Sequence, residues 1–249
     1  PKRVFISSTT AGEIAVIGND PAIPAEYQKL IGRIDLCTDA GEALNGQGAC
    51  DVNANAANIP NTPNKSNPHG IRFSKQTGKI YSIQENYRTI VEIDPSSLLV
   101  TKTFDLSTTA YTGYGISPNG RFLLLRGSVA APAATKFGVI DLGTAGTPLV
   151  DLVTPEQDGT LPSSGGSFKF SPDGNRLYVL AGNAATATKK DKLFAYDSSA
   201  LPALTLLSEI QLALSGAHSF DILAQGAGVA TFIVVSNSTH NSISVINAT

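Results

Sequence analysis

The three histidines of the chain are its most informative candidates for chemistry. His69 and His218 each stand four residues before an apolar residue of a predicted strand, Phe73 and Ile222 respectively, so they occupy equivalent positions in a repeating pattern. His240 lies in a predicted connection between two strands. Imidazole binds transition metals and donates hydrogen bonds to anions. These residues therefore predict a ligand site or, alternatively, hydrogen bonds to neighbouring loops.

Glu85 and Arg88 are charged residues in another predicted connection. They could orient a polar substrate, although loop charges of this kind are usually solvated. The chain has no Gly-x-Ser-x-Gly elbow, and spacing alone selects no set of serine, histidine and acid. We therefore predict no catalytic residues and retain Glu85 and Arg88 as candidate ligand-binding residues.

Oxygen-bearing side chains cluster around the second cysteine. The candidate calcium ligands are Asp39, Glu42, Asp51, Asn53 and Asn55. Alternating oxygen donors are typical of calcium loops, but Ala56 and Thr62 stand where an EF-hand requires Gly and Glu. The stretch predicts either a calcium site or a network of Asx turns.

Cys37 and Cys50 are the two cysteines of the chain, which has no haem-attachment motif and no zinc-binding pair. A disulfide closing a loop of about 14 residues would contribute about 3 kcal/mol by the chain-entropy argument. Together with the low charged fraction of 15%, the predicted disulfide favours an extracytoplasmic location: periplasmic, secreted or at the cell surface. Two free thiols in a cytosolic protein are the alternative.

The overall composition excludes several classes of protein. Eighteen basic and 20 acidic residues give a net charge of −2, so we expect no nucleic-acid partner. A hydrophobic fraction of 42% over 249 residues argues against disorder. The longest apolar stretch, 222–235, is interrupted and too short to span a membrane. Pro1 follows no initiator Met and no leader, which predicts a processed chain or a fragment.

A repeated turn indicates the elements that position these residues. The turn recurs at 73–78, 116–120 and 170–174, each time before an apolar run. Pro followed by Asn-Gly or Asp-Gly makes a tight turn, because Pro presets one φ and Gly supplies the positive one. Each unit continues through a second strand, a third ending in Asp or Asn, and a more polar fourth. The unit recurs about every 40 to 55 residues, which is the spacing of a β-propeller.

We therefore predict an all-β fold, a single β-propeller domain over 1–249 with about five four-stranded blades visible. The segments are a partial blade 1–36, an insertion 37–68, blades 69–106, 112–153 and 166–212, and a partial blade 218–249. The two partial blades each own a second and a third strand, so they cannot merge, and the chain is expected to be part of a larger ring. Helix is expected only as a turn or two near 24–30.

The long connections are predicted to lie on one face, which we call the top face. They are 37–68, 126–136, 154–165 and 181–192, whereas the short turns lie on the opposite face. Insertions that collect on one face of a repeat protein usually mark its binding face, with tolerated elaboration as the alternative.

The repeat resembles the YVTN-type propeller proteins, a group related to seven-bladed lactonase and nitrite-reductase-like propellers. The likeness rests on 69–74, on 79–86 leading into 89–94, and on 170–179, and it extends over nearly all of the chain except 37–68. The resemblance implies a propeller. It implies no single function, because such repeats serve enzymes, electron-transfer proteins and adhesive scaffolds.

The sequence as a whole predicts an extracytoplasmic binding or scaffold module that presents its top face to a protein or a small ligand. One alternative is a lactonase-like or metal-assisted enzyme with His69, His218 and His240 around the channel mouth. A second alternative is an accessory partner of a redox or cytochrome protein. Calcium or a transition metal is the cofactor that the candidate residues would accept.

Overall fold

The computed structural model describes residues 2–36, 66–85, 88–106, 111–129, 134–144, 150–155, 168–181, 191–213, 216–224 and 230–248. Within these residues it contains 18 β-strands and no helix, which confirms the predicted all-β class. The helical turn expected near 24–30 is instead a series of turns, in which the Tyr27 N–H donates to the Ile23 carbonyl at 3.0 Å before a strand begins at Leu30. The chain divides into two compact units, Pro1–Tyr111 and Thr112–Thr249.

The first unit contains two antiparallel sheets, in which each strand pairs with the next along the chain. Sheet 1 consists of β1 (Arg3–Ser8), β2 (Glu13–Gly18) and β3 (Leu30–Asp35). Sheet 2 consists of β4 (Arg72–Phe73), β5 (Ile80–Gln84), β6 (Thr89–Asp94) and β7 (Leu99–Asp105). Sheet 1 thus has one strand fewer than sheet 2.

Three more antiparallel sheets follow, the first starting at the boundary between the units. Sheet 3 consists of β8 (Tyr111–Ile116), β9 (Phe122–Val129), β10 (Ala134–Asp141) and β11 (Val150–Pro155). Sheet 4 consists of β12 (Phe168–Phe170), β13 (Arg176–Ala181), β14 (Lys192–Asp197) and β15 (Thr205–Gln211). Sheet 5 consists of β16 (Ala217–Ala224), β17 (Ala230–Asn237) and β18 (Ser242–Asn247).

One predicted long connection is shorter than expected. Strands β9 and β10 keep their pairing as far as Val129 opposite Ala134, so most of 126–136 is strand rather than loop. The hydrogen-bonded pairing of β9 with β10 continues in register beyond the apolar residues by which the sequence indicated these strands. Both strands are therefore longer than the sequence predicted.

The repeated Pro-Asn-Gly and Pro-Asp-Gly segments form closely similar turns. Gly120 donates its N–H to the Ser117 carbonyl at 2.8 Å, and Gly174 donates to the Ser171 carbonyl at 2.9 Å. Both glycines have φ of +79°, which a residue with a side chain rarely adopts. The predicted turn chemistry therefore sets the angle at which the second strand returns along the first.

Hydrophobic side chains on the facing surfaces of consecutive sheets pack together within each unit. In the first unit the cluster joins sheets 1 and 2 through Ile14, Val16, Ile34, Leu36, Ile80, Val91 and Ile93. In the second unit one cluster, which includes Phe137 and Val179, joins sheets 3 and 4. Another, which includes Leu193 and Ile233, joins sheets 4 and 5. Because side chains alternate across a strand, a central sheet contributes to a core on each face.

Candidate functional site

The ends of the strands define where the predicted site residues lie. We call the end of a sheet that carries the connection between its second and third strands the loop edge, and the opposite end the turn edge. The connection of sheet 2 at this edge is 85–88, and that of sheet 5 is the turn 238–241. His69 precedes β4 and His218 lies near the start of β16, so both are at loop edges.

The structure brings His69 and Glu85 together at the loop edge of sheet 2. The His69 Nδ1 atom lies 2.9 Å from Glu85 Oε1, and Asn67 donates its side-chain N–H to Glu85 Oε2 at 3.3 Å. The side chain of His69 is 63% exposed and that of Glu85 is 30% exposed. The carboxylate thus holds the imidazole with Nδ1 as the donor, so that in the neutral ring Nε2 is an acceptor for a ligand.

Backbone hydrogen bonds fix the segment that carries His69 against the end of β5. The His69 N–H donates to the Ile83 carbonyl at 3.0 Å, and the Glu85 N–H donates to the Asn67 carbonyl at 3.3 Å. The Thr9 hydroxyl donates to the Pro68 carbonyl at 3.0 Å, which ties the same segment to the connection between β1 and β2 of sheet 1. The His69–Glu85 pair therefore rests on a paired backbone rather than on a free loop.

A buried polar network lies directly beneath the pair. The Gln84 side chain donates to the Leu36 carbonyl and accepts a hydrogen bond from the Thr89 hydroxyl at 2.7 Å. Gln84 and Thr89 are both fully buried. Buried polar groups that are satisfied in this way hold the backbone in one arrangement. Gln84 therefore anchors the start of the connection that carries Glu85.

Arg88 closes the same connection through its backbone. Its N–H donates to the Glu85 carbonyl at 3.3 Å and its carbonyl accepts a hydrogen bond from the Leu106 N–H at 3.0 Å. Its φ is +48°, in the left-handed region that a non-glycine residue adopts at some cost in energy. The predicted neighbours Glu85 and Arg88 thus lie at one edge, while the carboxylate of Glu85 contacts His69 and Asn67.

His218 and His240 are both exposed at the loop edge of sheet 5. The turn that carries His240 is attached to the start of β16, because the Ser238 N–H donates to the Gly216 carbonyl at 2.9 Å. The buried Asp191 accepts a hydrogen bond from the Ala217 N–H, which fixes the residue before His218. The second unit therefore presents two imidazoles at one edge, as the first unit presents His69.

Several predicted ligands fall outside the described residues. They are Cys37 and Cys50 of the predicted disulfide, and Asp39, Glu42, Asp51, Asn53 and Asn55 of the predicted calcium site. Across the residues that are described, no three His, Cys, Asp or Glu side chains are grouped so that they could hold a metal ion. Nor does this described part include a helix with the length and apolar character needed to cross a membrane.

Sequence reasoning missed the residues that support His69. Asn67 and Gln84 have no spacing or motif that marks them, because their roles depend on how 66–69 pairs with the end of β5. The position of Asn67 before Pro68 indicates an irregular backbone, and its φ of +51° agrees with the known tolerance of Asn for the left-handed region.

Comparison with known proteins supports the fold. No model of a known protein family matches the sequence, and no curated protein matches it. The structure is similar to Kuenenia stuttgartiensis hydrazine synthase, with a TM-score of 0.64 and 13% identity over 98% of this chain and 67% of that chain. It is also similar to the β-propeller domain of Myceliophteria thermophila Cps50 (Swd1), with a TM-score of 0.52 and 12% identity over 74% of this chain and 55% of that one.

The chain has a β-propeller fold. A candidate 6-phosphogluconolactonase of Bacteroides uniformis is a further structural neighbour, with a TM-score of 0.61 and 13% identity over 98% of this chain and 65% of that chain. The propeller spans about two thirds of the length of hydrazine synthase and of the lactonase candidate. Identities this low show a shared fold and no shared activity. The assignment to YVTN repeats remains a resemblance, because no family match supports it.

Proposed function

We propose that this propeller is an extracytoplasmic binding module that engages a protein or a small ligand at its loop edges. The observation that carries the proposal is the His69–Glu85 pair, in which a largely exposed imidazole is held in one orientation by a carboxylate at 2.9 Å. An exposed side chain that is ordered in advance loses little conformational freedom on binding. The two exposed imidazoles of sheet 5 give the second unit a similar edge.

The remaining parts of the proposal rest on the sequence. The five sheets are proposed to be the predicted blades, with the bounds 1–36, 69–106, 112–153, 166–212 and 218–249. The extracytoplasmic location is supported by the predicted disulfide between Cys37 and Cys50.

Site-specific crosslinking tests the binding face. A photo-crosslinking amino acid is placed at His240 on a loop edge and, as the control, at Gln76 in the exposed turn of the opposite edge of sheet 2. The protein is exposed to the extracytoplasmic fraction of its source and crosslinked. We expect adducts from position 240 that are reduced in the His218→Ala background, and none from position 76. Equal labelling at the two positions would contradict the proposal.

An enzyme is the second candidate, because the same pair is suited to general-base catalysis. A carboxylate that orients an imidazole through Nδ1 leaves Nε2 free to accept a proton from water, as the attack of water on a lactone requires. The fold likeness to the lactonase candidate is compatible with this activity and does not establish it.

Lactone hydrolysis followed by NMR separates the two candidates. The substrates are glucono-δ-lactone and 6-phosphogluconolactone, and the proteins are the parent chain, His69→Ala and the turn-edge control Lys75→Ala. The binding proposal predicts rates equal to the buffer rate for all three proteins. Acceleration that is lost by about a hundredfold in His69→Ala alone would establish the enzyme instead.

A further inference from the structure

Among the described residues, five that carry a side chain have a φ in the left-handed region. They are Gln28, Asn67, Arg88, Leu98 and Asn241. This conformation brings Cβ close to a backbone carbonyl oxygen, so a residue other than Gly adopts it at a cost in energy. Such residues persist where the surrounding structure fixes them, and they collect at binding sites. Each of the five therefore needs a physical reason.

Three of the five have a reason in their residue type or in their packing. Asn67 and Asn241 are of the type that tolerates the left-handed region best after Gly. Leu98 packs against the hydrophobic core between sheets 1 and 2, and burial of its side chain offsets the cost. Gln28 and Arg88 are both exposed, so packing does not account for their conformation.

The backbone around Arg88 holds it in this conformation from both sides. The Arg88 N–H donates to the Glu85 carbonyl at 3.3 Å, and the Arg88 carbonyl accepts from the Leu106 N–H at 3.0 Å. The next residue, Thr89, is fully buried and donates its hydroxyl to the buried Gln84 at 2.7 Å. Gly at position 88 would satisfy the same backbone without the steric cost. What an arginine adds at this position is therefore its side chain.

The Arg88 side chain belongs to the same loop edge as the His69–Glu85 pair. The Glu85 carboxylate is engaged by His69 at 2.9 Å and by Asn67 at 3.3 Å. A guanidinium has five N–H donors in a planar fork, so Arg88 can receive a carboxylate in addition to its contacts within the protein. Arg is also enriched among the residues that contribute most to protein–protein binding. The edge therefore offers a ligand both a cation and the acceptor Nε2 of His69.

The exposure of these side chains favours a protein surface over a small molecule. The side chain of His69 is 63% exposed, and Arg88 is exposed as well. Small-molecule sites enclose most of the ligand in a cavity, whereas a protein partner covers exposed side chains over a wide contact. Charges across such a contact are complementary, so a cation on this edge selects a negatively charged group on the partner.

We propose that Arg88 recognises an acidic side chain, Asp or Glu, on the surface of a protein partner. The carboxylate accepts two hydrogen bonds from the Arg88 guanidinium, while a donor group of the same partner binds His69 Nε2. The contact offsets the backbone cost of an arginine at a position where Gly would be more stable. Such a contact rests on the proposed function, since it names the class of partner for the loop edge of sheet 2.

Arg88→Gly separates the cost of the backbone from the use of the side chain. Removing Cβ relieves the left-handed conformation, so we expect the midpoint of thermal unfolding to rise by about 2 to 4 °C. Gln28→Gly is the matched control, at an exposed residue with φ of +57° in the connection between β2 and β3, and its midpoint should rise similarly. Arg88→Lys keeps Cβ and should leave the midpoint unchanged. A rise for Gln28→Gly with a fall for Arg88→Gly would contradict the assigned cost.

An array of short random peptides measures the preference for acidic residues. The 249-residue protein carries a fluorescent label, and the readout is the mean signal on peptides with Asp or Glu divided by that on peptides without them. We expect a ratio of at least about three for the parent chain and for Gln28→Gly, and a ratio of about one for Arg88→Gly. Arg88→Lys should retain part of the preference, because the charge remains but the planar fork is lost. His69→Ala should lower the signal on all peptides.

The results separate the role of Arg88 from the proposed function. The same ratio for the parent chain and for Arg88→Gly would overturn the proposal for Arg88. If His69→Ala still abolished binding in that case, the loop edge would remain a binding site. Binding that neither His69→Ala nor Arg88→Gly changes would contradict the proposed function at this edge as well. Absence of binding to every peptide would exclude an acidic protein segment as the partner.

Discussion

At the scale of single residues, the side chain of His69 is largely exposed and yet held in place by its contact with Glu85. The carboxylate of Glu85 is engaged on both oxygens, by His69 at 2.9 Å and by Asn67 at 3.3 Å, so the imidazole cannot rotate without breaking a contact. His218 lies near the start of β16 and is also exposed.

Glu85→Gln should change the tautomer of His69. The carboxylate favours the neutral ring with its proton on Nδ1, and an amide that can also donate removes that preference. We expect nitrogen chemical shifts of the His69 ring to move towards the Nε2-protonated form, while those of His218 stay unchanged. The free energy of unfolding should change by less than about 1 kcal/mol, because the pair is partly exposed. Identical His69 shifts in both proteins would show that Glu85 does not orient the ring.

Acid should destabilise the protein through a second set of residues. The Arg121 guanidinium lowers the pKa of Asp141 to about 2, and the Lys79 ammonium likewise holds the pKa of Asp94 well below its usual range. A carboxyl whose pKa is lower in the folded state than in the unfolded state contributes stability above about pH 4 and loses it as the pH falls further.

Urea unfolding between pH 5 and pH 2 measures this loss. We expect the free energy of unfolding of the parent chain to fall over this range more steeply than that of Asp141→Asn, in which the titrating group is absent. The control is Asp20→Asn, at a half-buried turn residue of the first unit. Parallel curves for the parent and Asp141→Asn would contradict the assigned ion pair.

At the scale of elements, the turns and the facing surfaces of the sheets determine the fold. The turns at 117–120 and 171–174 have the same closing hydrogen bond and the same positive φ at glycine. The alternation of apolar residues along the strands supplies one core between each pair of consecutive sheets described within a unit. The turns and the alternation of apolar residues both depend on residues that are close together in the chain. The sequence could therefore predict them.

Gly174→Ala should destabilise the protein more than Gly78→Ala. Both glycines have positive φ, +79° and +68°, but a Cβ at Gly174 would lie 3.3 Å from Pro118 Cδ, whereas a Cβ at Gly78 meets nothing within 4 Å. We expect a loss of about 1 kcal/mol from the backbone alone at each site, with a further loss at Gly174. Thermal unfolding of both variants provides the comparison, and equal losses would count against the close contact with Pro118.

Val91→Ala and Val245→Ala test the packing between sheets with the same chemical change. Val91 is fully buried in the core between sheets 1 and 2, whereas Val245 on β18 is 61% exposed. Removing buried methyl groups costs transfer free energy and leaves a cavity, so we expect a loss of about 1 to 3 kcal/mol for Val91→Ala and less than about 0.5 kcal/mol for Val245→Ala. Denaturant unfolding measures both, and similar values would contradict the assigned core.

At the scale of the whole molecule, the fold is shared with proteins whose names describe different enzymes. Hydrazine synthase and a candidate 6-phosphogluconolactonase both match 98% of this chain at 13% identity. Fold alone therefore does not identify an activity, and the argument for function rests on particular side chains at the loop edges.

The predicted disulfide bears on where the molecule works. If Cys37 and Cys50 are joined in an oxidising compartment, the native protein should incorporate no thiol label without reductant and two labels after reduction and unfolding. Intact mass spectrometry counts the labels, with a Cys37→Ser variant as the control that exposes one thiol. Two labels on the unreduced native protein would contradict the disulfide and weaken the case for an extracytoplasmic location.

The sequence predicted the strands but not the contact between His69 and Glu85, for a physical reason. The prediction of a third strand that ends in Asp or Asn matches β6 and β18, because both are short runs rich in Ile and Val that end in Asp94 and Asn247. The contact between His69 and Glu85 depends instead on how 66–69 pairs alongside the end of β5, and on a buried Gln84 that holds Leu36 from another sheet. Such contacts are set by tertiary packing, which local spacing does not encode.

The most direct test of the central claim is a structure of the protein isolated from its source with its ligand retained. The account predicts ligand density at the loop edges, with a polar atom of the ligand within hydrogen-bonding distance of His69 Nε2. Density confined to the turn edges, while the His69 imidazole faces only solvent, would contradict it.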